Sequence, residues 1–79
     1  MRLDKFLKVS RLVKRRTVAN ELCDAKHVKV NGKIARASYE VKVNDEIELR
    51  IGANTVRAQV LTLSEHATKE TAVGMFTLL

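Results

Sequence analysis

The apolar residues of this chain recur first at helical spacing and then at strand spacing. Leu3, Phe6 and Leu7 follow the i, i+3, i+4 pattern, which predicts a helix over residues 3–9 with one buried stripe. Asp4 falls in its first turn, where a carboxylate suits the positive end of the helix dipole. Residues 10–14 read as a turn into which Leu12 and Val13 tuck. A second helix is predicted over about residues 16–25, with Val18, Ala19, Leu22 and Cys23 as its apolar face.

The period then changes to two. Val28-Lys29-Val30 alternates, Asn31-Gly32 accepts the positive φ values of a type I′ turn, and Lys33-Ile34-Ala35 returns. Asn44-Asp45 turns the chain before the alternation of Ile47 to Ile51. Gly52 to Thr55 reads as a loop and Val56 to Leu63 as another strand. Thr68 is placed to cap a short helix through Val73. Met75 to Leu78 reads either as a last strand or as a continuation of that helix. This order predicts an α+β fold, with two N-terminal helices packed on a small, mostly antiparallel sheet and a short C-terminal helix or strand. The expected packing runs through Leu3, Phe6, Leu7, Val18, Leu22, Val28, Val30 and Ile47.

Composition narrows the class. Seventy-nine residues with no Pro, three Gly and no linker or repeat predict one domain over residues 1–79, with a thin core. Apolar runs never exceed two residues, which excludes a membrane-spanning helix and the apolar core of a secretory signal. The single Cys23 can form no internal disulfide, so the expected setting is reducing and cytoplasmic. One Cys and two scattered His (His27, His66) make no metal constellation. No nucleophile–base pair, paired carboxylates or phosphate loop is visible, so neither an enzyme nor a cofactor is expected.

Charge changes the picture most. Residues 1–36 hold eleven Lys and Arg against three acids (Asp4, Glu21, Asp24), a net +8, while residues 37–79 carry −2. A cationic half on so small a chain points to a polyanionic partner. Lys14-Arg15-Arg16 is the densest cluster, at a helix start where cations oppose the dipole and each other; a bound phosphate would relieve that repulsion. Arg2, Lys5, Lys8 and Arg11 recur every three residues along the first helix. Such a helix could simply be solvated, or lie on an anionic membrane, but its apolar face is small and is needed for the core. Lys29, Lys33 and Arg36 surround the hairpin, either as edge-strand lysines that block aggregation or as RNA contacts. Cys23 reads as core, His27 as a helix C-terminal residue and Tyr39 as a packing anchor. With Phe6 and Phe76 as the other aromatics, base stacking on single strands has little to work with.

Four segments together carry a resemblance: Arg2-Leu3-Asp4-Lys5-Phe6-Leu7, Lys14-Arg15-Arg16-Thr17-Val18-Ala19, His27-Val28-Lys29-Val30-Asn31-Gly32-Lys33 and Asp45-Glu46-Ile47. Across residues 2–51 the chain resembles the S-four RNA-binding domain, the αL RNA-binding motif, with residues 52–79 as a further strand and extension. It departs at Arg15, where that domain often has a Ser, and at Asn44, where a Gly usually precedes Asp45. From Met1 to Thr17 it is very similar to the RqcP (YabO) family of small factors in low-GC Gram-positive bacteria. The neighbouring heat-shock family usually carries a longer basic tail, which this sequence lacks.

The resemblance implies a ribosome quality-control factor. It would bind large-subunit rRNA and peptidyl-tRNA on obstructed subunits and support an RqcH-type factor in alanine tailing of stalled chains. It implies a monomer when free and RNA contacts from Arg2, Lys5, Lys8, Arg11, Lys14, Arg15, Arg16, Lys29 and Lys33. The alternatives are a heat-shock-type recycling factor for blocked subunits, an accessory domain of an RNA-modifying enzyme, or a membrane-surface module. The start at Met1 without a catalytic domain weighs against the accessory domain.

Overall fold

The computed structural model describes residues 1–66 and 68–79. Helix α1 spans Leu3–Val9 and α2 spans Arg16–Asp24. The strands are β1 (Val28–Val30), β2 (Lys33–Ile34), β3 (Glu46–Ile51), β4 (Asn54–Val60) and β5 (Phe76–Leu78). A short helix α3 (Lys69–Ala72) and a 3₁₀ turn (Val73–Met75) precede β5. The sheet is antiparallel throughout, in the order β2-β1-β3-β4-β5. The α+β architecture expected from the change of period is the one observed.

The start of α1 is tied to the segment before β3. The Leu3 N–H donates to the Tyr39 carbonyl at 2.8 Å and the Asp4 N–H to the Ala37 carbonyl at 3.2 Å. These bonds satisfy two of the donors that a helix start leaves free. Leu3, Phe6 and Leu7 then meet Val28, Val30, Ile47, Leu49 and Val60 from the inner face of the sheet. Val41 and Met75 close the core. Among the described residues no buried side-chain nitrogen or oxygen lacks a hydrogen-bond partner.

One expected face is rotated. Val18 is 40% exposed and Leu22 is at the margin, while Ala19 and Cys23 are buried. The small side chains of Ala19 and Cys23 let α2 approach α1 closely. Arg16 and Asn20 share that side of α2, and both reach Asp4. A larger apolar residue turned inward there would displace these polar contacts.

Turn residues match the backbone they must adopt. Asn31 and Gly32 have φ of 53° and 83°, as a type I′ turn requires. Asn44 has φ 77°, the left-handed region that Gly enters freely and Asn tolerates better than most residues. That accounts for the Asn where the S-four pattern usually has a Gly. The loop before β4 is shorter than expected: Gly52 (φ 60°) and Ala53 form it, and β4 begins at Asn54 and ends at Val60 rather than Leu63. Its first residues face Arg50 and Ile51 in register, so ladder pairing overrides their polar character. Thr68 caps α3 reciprocally with Thr71, as the sequence suggested, but the helix stops at Ala72. Residues 76–78 take the strand alternative by pairing with Ala58, Gln59 and Val60.

Candidate nucleic-acid interface

The interface is organised around a buried carboxylate. Asp4 is only 2% exposed. A buried charge is costly unless donors surround it. Four do: the Lys5 N–H at 2.8 Å, Arg2 Nε at 3.2 Å, Arg16 Nε at 3.3 Å and Asn20 Nδ2 at 3.4 Å. Burial pushes the Asp4 pKa up. The Arg16 hydrogen bond, the Lys5 N–H and the charges of Arg16 and Arg2 outweigh it and hold the pKa below its ordinary 3.8.

Arg2 and Arg16, distant in sequence, thus share one anchor at the α1–α2 junction. Both use Nε for Asp4, which leaves the terminal guanidinium nitrogens of each out of that contact. Each side chain is 49% exposed. A half-exposed guanidinium held at Nε, with its terminal nitrogens outside that contact, suits phosphate oxygens. Arg16 opens α2, and Arg15 at the N-cap supplies no side-chain cap. The α2 start therefore has positive charge on both sides, and Asp4 offsets part of it.

The other candidates are spread over the surface. Lys8, Arg11 and Lys14 line an open cleft of about 470 Å³ with His66 and Glu65. Lys5 faces Glu65 at 3.5 Å. Arg15 borders an apolar patch with Leu12, Val18 and Ile51. Lys29 lies opposite Glu48 in the β1–β3 register, with its Nζ 4.0 Å from a carboxylate oxygen, and Lys33 is exposed on edge strand β2. The structure thus brings Arg2 and Arg16 together, and separately Lys8, Arg11 and Lys14. Arg15 adjoins the second group through Lys14, which borders the same apolar patch, while Lys29 and Lys33 join neither group.

The hairpin that carries Lys29 and Lys33 is braced by a second buried carboxylate. Asp45 accepts from Asn31 Nδ2 at 3.0 Å, Tyr39 Oη at 2.9 Å and the Lys42 N–H at 2.9 Å. Asn31 Oδ1 in turn accepts from the Glu46 N–H at 3.0 Å. Tyr39 is the packing anchor expected, and its hydroxyl also helps hold Asp45. Burial pushes the Asp45 pKa up, but the Lys42 N–H, Asn31 and Tyr39 bring it below 3.8. Cys23 is buried, and burial, with Asp4 and Asp24 nearby, pushes its thiol up to about 11, which suits a core residue rather than a nucleophile.

Depressed carboxyl pKa values make an acid-labile fold. Asp4 and Asp45 contribute stability that is fully present above the unfolded-chain value and is lost as pH falls through the folded values. The melting temperature is expected to be level above roughly pH 5 and to fall steeply below pH 4. Asp45→Asn removes part of that slope. A scan by circular dichroism that fell equally in the variant and the parent would refute the assignment.

Sequence reasoning missed Asp4 as the organiser, along with Asn20. The signal was present, since residues 16 and 20 sit one helical turn apart and an acid beside them could pair with both. Among the described residues, no cluster of His, Cys, Asp and Glu could hold a metal ion, and no helix is long and apolar enough to cross a membrane.

The S4 domain model matches residues 1–47, which hold both helices, the hairpin and the Asp4 and Asp45 networks. The chain is 51% identical over 79 residues to the RQC P-site tRNA stabilizing factor of Bacillus subtilis, covering 100% of this chain and 92% of that protein. The chain belongs to this S4-domain family. The Streptococcus pneumoniae factor of the same name is 48% identical, with 100% of this chain and 90% of that one covered. Among solved structures, Vibrio cholerae heat shock protein 15, described as a trimer, superposes with a TM-score of 0.92 at 26% identity, covering 100% of this chain and 81% of that one. The hypothetical protein HP1423 gives 0.85 at 32% identity, covering 100% and 96%. The family membership and the α+β fold expected from the residues are both borne out.

Proposed function

We propose that this chain is an RNA-binding ribosome quality-control factor. It binds the obstructed large ribosomal subunit and steadies peptidyl-tRNA in the P site. The observation that carries this reading is the end-to-end likeness to factors named for stabilising P-site tRNA. On this reading residues 1–79 act as one RNA-binding domain, cytoplasmic and without enzymatic activity, and monomeric when free. Holding the tRNA would support an RqcH-type partner in tailing the stalled chain with alanine.

The geometry supports a clamp on structured RNA. Arg2 and Arg16, anchored together on Asp4, grip phosphates on rRNA or tRNA. Lys5, Lys8, Arg11, Lys14 and Arg15 widen the field on the helical side, and Lys29 and Lys33 extend it along the hairpin. Folded RNA is read by shape and phosphate, a task that needs few aromatic side chains.

The test is binding of the purified protein to bacterial large subunits at several salt concentrations. With about five phosphates contacted, log K falls against log salt with a slope of roughly −3 to −5, a range taken from counterion release on nucleic acids. A slope near zero would remove the electrostatic basis of the proposal. Binding to anionic vesicles with no binding to subunits would favour the membrane-surface alternative.

A further inference from the structure

An open groove of about 490 Å³ lies between the end of α2 and the segment after β2. Three cations line it: Arg2, Lys26 and Arg36. Lys26 is outside the RNA contacts given above, and Arg36 entered there only as one of the cations around the hairpin. Asn20 and Ser38 add hydrogen-bonding groups, and Asp24 contributes one opposing acid. Among the described residues, neither Lys26 nor Arg36 has a carboxylate oxygen within 4.0 Å of its charged nitrogens.

The backbone at Lys26 makes the placement informative. α2 ends with the Lys26 N–H on the Cys23 carbonyl at 3.0 Å and the His27 N–H on the Leu22 carbonyl at 2.9 Å. That pair of bonds is a Schellman ending, and it puts Lys26 at the position where glycine is favoured. Lys26 has φ 64°, a left-handed conformation that strains a residue with a Cβ. A cation there does favour the helix dipole. The dipole would be served as well by a basic residue inside the last turn, which has none. The strained position, by contrast, is one that lines the groove.

We propose that this groove is a further phosphate-binding subsite. Lys26 and Arg36, with Arg2 at its edge, take the sugar–phosphate backbone of an RNA strand that continues from the Arg2–Asp4–Arg16 junction. Arg2 belongs to both features, so one strand can pass from the junction into the groove. The subsite rests on the RNA-binding function proposed above.

Lys26→Gly separates a binding role from a structural one, because the two predict different signs. Glycine relieves the left-handed backbone, so the melting temperature stays level or rises. The lost phosphate contact weakens binding to purified large subunits about three- to tenfold and makes the salt slope shallower by about one. Arg36→Ala, outside any helix or strand, weakens binding similarly, and Lys69→Ala in α3 binds as the parent does. If the parent binds with a steep salt slope and both groove variants match it in affinity and slope, the subsite is overturned and the RNA-binding function stands. If the parent fails to bind subunits, both fall.

Discussion

Phe6→Ala lowers the stability of this protein by about 3–5 kcal/mol, the cost of emptying a fully packed aromatic site. Phe6 has no exposed surface and lies with Leu3 and Leu7 against the inner face of the sheet. It is the largest fully buried side chain in the fold. Small folds have total stabilities of about 5–15 kcal/mol, so the loss takes much of the reserve. Thermal melts of the two proteins measure it, and an unchanged melting temperature would show that α1 does not anchor the core. The consequence reaches the proposed RNA surface as well. Asp4 and Lys5 directly precede Phe6 on the same short helix, so a loosened α1 also loosens the anchor of Arg2 and Arg16.

Arg16→Ala weakens binding to large ribosomal subunits by about ten- to a hundredfold, or ~1.5–3 kcal/mol for one charge-assisted contact. Arg57→Ala leaves binding nearly unchanged. The two residues carry the same charge in different surroundings. Arg16 meets Asp4 through Nε at the α1–α2 junction, and its side chain is half-exposed. Arg57 lies on β4, remote from the helices in sequence, and is hydrogen-bonded to Glu46 on the neighbouring strand. Arg2→Ala behaves like Arg16→Ala. The double variant loses less than the sum, because both arginines share one carboxylate and removal of either changes the setting of the other. Circular dichroism on each variant confirms folding. Equal losses for Arg16 and Arg57 would mean that net charge alone drives association.

The helical spacing of Leu3, Phe6 and Leu7 placed α1 at its observed bounds, and Asn31-Gly32 located the hairpin turn. These signals are local, and the structure leaves them in force. Three features were settled by contacts between distant segments. Val18 reads as core by hydropathy, but α1 packs on the smaller Ala19 and Cys23, so Val18 faces outward. Asp4 reads as a helix-dipole residue until Arg16 and Asn20 arrive from α2 and make it a buried anchor. Residues 76–78 become a strand because the β4 edge is there to pair with them. The cationic half was plain in the sequence, but its division was not. Lys26 and Arg36 are far from Arg2 in the chain and meet it only when the hairpin folds back beside α2.

On the proposed function, a specific cationic surface of the protein binds the large subunit where it holds P-site tRNA. Co-sedimentation of the purified protein with large subunits carrying peptidyl-tRNA, beside bare subunits, tests it most directly. The expected result is stronger retention on the tRNA-bearing subunits, lost for Arg16→Ala and kept for Arg57→Ala. A protein that stayed at the top of the gradient with both kinds of subunit, or Arg16→Ala and Arg57→Ala variants retained alike, would contradict it.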